Sequence, residues 1–165
     1  NLSPADALKA FDTEPGFTVE LVAAEPLTID PVALAFDERG RLFVAEGRDY
    51  PVGAPDGRPL GVIAMLEDID GDGRMDKASV FLDQLVMPRG VMAVKGGAFV
   101  AEPPNLFFCR DTKGTGVVAD SAIGAVCQWA LTIRIDVGRG IAAAQPASSP
   151  IHVASSSKGA APWPR

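Results

Sequence analysis

The chain has one histidine, one tyrosine, two tryptophans and two cysteines in 165 residues. It also has no apolar run near the roughly 20 residues that a membrane-spanning helix requires. Cationic excess is absent as well: the net charge is −6, which argues against a nucleic-acid or anionic-membrane surface. The cysteines, Cys109 and Cys127, are far apart in sequence with no neighbouring histidine cluster, so they do not form a metal-type pair. Two free buried thiols are the simpler expectation, with a disulfide as the alternative in an oxidising compartment. No glycine-rich phosphate loop, nucleophile elbow or Cys-x-x-Cys-His haem site is present. What remains is globular in composition, 47% hydrophobic and 22% charged.

The chain changes character near residue 120. Residues 1–120 hold 20 acids against 11 bases, net −9, whereas residues 121–165 hold one acid (Asp136) against four bases, net +3. The second part carries both tryptophans, His152, and runs such as Ala142-Ala143-Ala144 and Ser155-Ser156-Ser157. Its composition is that of a low-complexity tail: either a linker or a segment translated out of frame. Only Gln128–Val137 alternates as a strand does. His152, with nothing near it to orient a base, reads as a tail residue.

Short strands dominate residues 1–120. Ser3-Pro4-Ala5-Asp6 opens a helix: Ser3 can cap, Pro4 suits the first helical position, and Asp6 faces the positive end of the dipole. The helix is expected to run to about Phe11. Phe17–Leu21 alternates and predicts a strand. Val32–Phe36 and Arg41–Ala45 predict a hairpin turned by Gly40, and Val91–Val94 and Ala98–Ala101 predict another. Val62–Leu66, Ser79–Leu82 and Leu106–Cys109 complete the set, with Arg48–Leu60 as a surface loop.

These strands repeat. The stretch Pro31–Glu46 is echoed by Pro88–Glu102, and each copy is followed by a strand and a loop opening with aspartate, at Asp68 and Asp111. A repeat of about 40–45 residues built of short strands is the pattern of a β-propeller blade. The expected fold is all-β: an incomplete propeller of two to three blades, with a short N-terminal helix and an irregular C-terminal tail.

Asp68-Ile-Asp-Gly-Asp-Gly-Arg-Met-Asp76 carries the clearest chemistry. Calcium takes six to eight oxygen ligands, and carboxylates at alternate positions converge when the chain curls. Asp68, Asp70 and Asp72 occupy positions one, three and five, the Arg74 carbonyl seven, and Asp76 nine, with Gly73 at the sharp turn. Position twelve, a bidentate glutamate in an EF-hand, is Ser79, and the flanks are strands. A structural calcium loop between strands is expected over a merely solvated acidic turn, because four carboxylates in nine residues repel without a cation. The second copy, Asp111–Asp120, has Lys113 and Thr115 at the acidic positions and is expected to bind none. Glu46, Arg48 and Glu102 follow strand ends and are weaker candidates, equally readable as surface ion pairing.

Leu2-Ser3-Pro4, Pro15–Pro26, Asp30–Asp37, Arg41–Glu46, Arg48-Asp49-Tyr50-Pro51 and the Asp68–Asp76 loop together resemble the planctomycete-type membrane-bound dehydrogenase family, itself similar to soluble quinoprotein glucose and sorbosone dehydrogenases. The resemblance covers residues 2–120. It implies a secreted, periplasmic or envelope-associated protein oxidising a sugar or other alcohol or aldehyde. It further implies pyrroloquinoline quinone in the full-length protein and a cytochrome c as electron acceptor. In the related quinoproteins a histidine acts as base. No histidine-bearing segment of that kind follows the second acidic loop, so no catalytic or quinone-binding residue is assigned. The expectation is a fragment that is inactive alone. A calcium-stabilised, non-enzymatic propeller module for binding or scaffolding is the alternative.

Overall fold

The computed structural model describes residues 2–51, 53 and 57–111, together with the backbone of residues 127–132. Among the described residues, one short helix precedes eight strands that form two four-stranded antiparallel sheets. Helix α1 (Pro4–Leu8) is capped as expected, with the Ser3 hydroxyl accepting from the Asp6 N–H at 3.1 Å. It ends before Phe11 because none of its residues is buried, so no packing extends so short a helix.

The first sheet runs β1 (Pro31–Phe36), β2 (Leu42–Glu46), β3 (Gly61–Glu67) and β4 (Lys77–Leu85), in that order. The second runs β5 (Gly90–Val94), β6 (Gly97–Glu102), β7 (Asn105–Arg110) and β8 (Cys127–Thr132). Each sheet is a simple meander in which sequence neighbours pair. The β1–β2 and β5–β6 hairpins turn at Gly40 (φ 78°) and Gly96 (φ 83°), positions where a side chain would be strained. Strand β8 comes from the segment set apart by composition, shorter than the Gln128–Val137 alternation. Residues 112–126 and 133–165, including the second acidic loop after Asp111 and His152, lie outside the described residues.

The sheets pack face to face. Phe43, Ala45, Ile63, Met65 and Phe81 of the first meet Ala98, Val100, Phe107 and Cys109 of the second in one buried cluster. Phe43 and Phe81 pack edge to face, with ring centroids 5.1 Å apart. The opposite face of the first sheet holds a second cluster, Leu42, Val44, Val62, Ala64 and Leu66, against which Val22, Ala23, Leu27 and Met75 pack.

One expected strand is not formed. Phe17–Leu21 makes no ladder pairing. Phe17 and Val19 stay exposed, and the N-terminal stretch packs on the sheet face further along, through Val22, Ala23 and Leu27. The expected free thiols are also corrected. Cys109 is fully buried and disulfide-bonded, and the register sets it opposite Cys127, the one other cysteine. A spacing in sequence could not reveal that neighbouring strands bring the two positions level.

Candidate metal-binding loop

The acidic loop joins β3 to β4. Its neck is closed by the Asp76 N–H donating to the Glu67 carbonyl at 2.9 Å, and by Lys77 Nζ on Glu67 Oε2 at 2.8 Å. The Met75 N–H donates to the Val22 carbonyl at 2.8 Å, fastening the loop to the N-terminal segment.

Inside the loop the carboxylates fold the backbone around themselves. Asp68 accepts from the Gly71 N–H through Oδ1 (2.7 Å) and from the Gly73 N–H through Oδ2 (2.9 Å). Asp70 accepts from the Asp72 N–H at 3.1 Å, and Asp76 from the Ile69 N–H at 2.8 Å. Gly71 (φ 78°) and Gly73 (φ 90°) supply the left-handed turns that let the chain curl. The result brings one carboxylate oxygen each from Asp68, Asp70 and Asp76 within 4.8 Å of one another. Asp72 lies outside that trio and accepts from the Arg74 N–H at 2.8 Å. Three hard anionic oxygens at such separations fit an oxygen-seeking divalent cation, and calcium's flexible coordination suits an exposed loop.

Glu46 and Arg48 occupy the opposite end of the first sheet. Glu46 is fully buried, not part of a surface pair. Its Oε1 accepts from the Thr28 hydroxyl (2.9 Å) and the Ile29 N–H (3.0 Å), and its Oε2 takes Arg48 Nε (2.8 Å) and Nη2 (2.5 Å). Burial is tolerated because both carboxylate oxygens are engaged. Glu102, the equivalent residue of the second sheet, accepts from the Val86 N–H at 2.5 Å. Burial raises the Glu102 carboxyl above its ordinary value, the Val86 N–H opposing this only in part. Each glutamate thus ties the end of its sheet's second strand to the chain entering that sheet, 17 residues upstream for Glu46 and 16 for Glu102. The matched spacing was visible in the repeat, but the role needs the fold.

A third charged cluster went unforeseen. Arg41 Nε bonds Asp37 Oδ2 at 2.6 Å, and Arg41 Nη1 lies 3.9 Å from Asp111 Oδ2, so one guanidinium spans both sheets. Burial works to raise the Asp37 carboxyl, but the Arg41 side chain, the N–H groups of Arg41 and Arg39, and the Arg41 charge together hold it below its ordinary value.

A family model described as a domain of unknown function, DUF7133, matches residues 3–123, from the helix through all of β7. The chain belongs to this family. No curated protein and no solved structure matches it. The DUF7133 match includes the acidic loop, both buried glutamates and the Asp37–Arg41–Asp111 bridge. Among the described residues, no helix is long and apolar enough to cross a membrane.

Proposed function

We propose that this chain forms calcium-stabilised blades of a β-propeller within a secreted, quinoprotein-like dehydrogenase that oxidises a sugar or other alcohol or aldehyde. The observation that carries the calcium part is the convergence of Asp68, Asp70 and Asp76 within 4.8 Å in a strand–loop–strand setting. Asp72 and the Arg74 carbonyl would be the further oxygen ligands by their positions in the loop. The role of the cation is structural: it neutralises like charges and fixes the β3–β4 connection. Two successive four-stranded meanders packed face to face support the propeller part. The disulfide at Cys109 supports an oxidising compartment.

The dehydrogenase part rests on the sequence resemblance. The described residues do not fit the quinone's need for a base, since the chain's single histidine, His152, lies outside them. No reaction step is therefore assigned to a residue here. The buried carboxylates favour a second reading, a non-enzymatic propeller module for binding or scaffolding. Glu46 and Glu102 fasten backbone, and Asp37 anchors an inter-sheet bridge, so all three serve architecture.

Calorimetric titration with calcium, paired with melting curves, tests the proposal. Binding should fall on the order of 0.1–1 mM, the range of extracellular modules, because the twelfth-position carboxylate is missing here. At roughly ten times that concentration the gain is about 1.4 kcal/mol, or a few degrees in Tm. Absence of heat and of any Tm rise at millimolar calcium would rule out the site. Reconstitution with pyrroloquinoline quinone, calcium and a dye acceptor should give no turnover from this chain alone. Turnover above a quinone-only control would show that it carries a catalytic base.

A further inference from the structure

Helix α1, residues 19–23 and the first sheet border a hollow of about 340 Å³. Leu42 and Val44 of β2, both buried, line it on the sheet side, and Ala7 and Leu8 line it from the helix. Phe11 and Leu34 also line it and are largely exposed, so the hollow opens to solvent beside them. A close-packed interior leaves few voids larger than a water molecule. This space is far larger and reaches the lower end of small-molecule pockets, about 300–1,000 Å³.

Helix α1 shows that the space is left unfilled by the chain itself. It turns Pro4, Ala7 and Leu8 to the hollow, yet none of its residues is buried. A helix of five residues has no stability of its own in water and depends on packing of an apolar face. Across the hollow that packing is missing, although the helix cap is formed. An apolar molecule between α1 and β2 would supply it.

The lining also selects the ligand's chemistry. Thr28 and Glu20 are the polar side chains among the residues that line it. The Thr28 hydroxyl already donates to Glu46 Oε1 at 2.9 Å, so it offers no free proton to a guest. Glu20 is exposed and brings a negative charge. Among the described residues, no lysine, arginine or histidine lines the hollow. An anionic guest would meet repulsion without a counter-charge, and a charge drawn inside would lose its water for nothing. An uncharged chain loses nothing polar, and apolar cavities of less than half this volume hold benzene.

We infer that this hollow is a binding site for an uncharged aliphatic molecule of medium chain length, which completes the packing of α1 on the first sheet. The inference rests on the hollow and its lining, and is independent of the proposed activity, of quinone and of calcium.

Calorimetric titration of the full chain with 1-hexanol, 1-octanol and octanoate provides the test, paired with hydrogen exchange over residues 2–11. Affinity should rise roughly fourfold per added methylene, so about fifteenfold from hexanol to octanol. Octanoate should bind severalfold more weakly than 1-octanol, and saturating octanol should slow exchange in α1. Ala7→Trp fills the hollow from a helix with no buried residue, so it should keep the wild-type circular dichroism and abolish binding. Met92→Ser, at an exposed position on the second sheet, should leave binding unchanged. Absence of heat with both alcohols overturns the proposal, as does octanoate binding more tightly than octanol. Binding that survives in a folded Ala7→Trp, or is lost in Met92→Ser, places the alcohol elsewhere and overturns it too. Should Ala7→Trp fail to fold, the exchange measurement decides: unchanged exchange in α1 at saturating octanol overturns the proposal.

Discussion

Glu46 receives a hydroxyl, a backbone N–H and a guanidinium while fully shielded from water. Glu46→Ala strands all three donors, and a loss of about 3–5 kcal/mol in denaturant unfolding is expected. Thr28→Val removes a single partner and should cost about 1 kcal/mol. Glu102 makes stability depend on pH. Its folded carboxyl holds the proton more tightly than the unfolded one, so its contribution is fullest below the ordinary value of 4.5 and fades as pH rises through the raised folded value. Glu102→Gln keeps an acceptor for Val86 and should flatten the stability–pH curve above 4.5 without lowering stability at neutral pH. Asp37 behaves in the opposite way: its contribution is present above 3.8 and lost as pH falls through its lowered value. Asp37→Asn should erase that acid-side decline, as urea titrations between pH 2 and about 5 would reveal.

The strands and tight turns were legible because local chemistry decides them. Strand-like patterning marked β1, β2, β5 and β6, and Gly40 marked the turn of the first hairpin. The aspartate spacing likewise foretold a curled loop, and three of its four carboxylates converge. Phe17–Leu21 misled because alternation alone does not supply a pairing edge: Phe17 and Val19 stay exposed, and it is Val22, Ala23 and Leu27 that pack on the first sheet. The disulfide and the inter-sheet bridge were illegible because they depend on register and on stacking, which no local pattern encodes. Some elements are held by contacts at one atom. A Cβ at Gly97 would run into the Cys109 carbonyl oxygen on β7, backbone that cannot yield. Gly97→Ala should therefore destabilise by more than about 2 kcal/mol, against little change for a substitution on the open side of β5 such as Met92→Gln.

For the molecule as a whole, two sheets share one core, and the Arg41 guanidinium ties them through Asp37 and Asp111. The second sheet recruits β8 across a sequence interval that its disulfide spans. Reduction should cost about 3 kcal/mol for a loop of that size, seen as a lower Tm in dithiothreitol. Wild type and a Cys109→Ser variant should then melt alike under reducing conditions to within the small cost of the serine substitution.

The Met75 N–H to Val22 carbonyl bond gives the acidic loop a remote readout. A cation that stiffens the loop holds Met75 in place, and Met75 in turn holds the chain around Val22 against the first sheet. Transient lifting of that chain exposes the peptide bond after Glu20 to a glutamate-specific protease, whereas the Glu25-Pro26 bond resists it. Digestion there should slow severalfold in millimolar calcium and lose that response in Asp68→Asn. Cleavage kinetics near residue 20 would thus report events in a loop some fifty positions downstream.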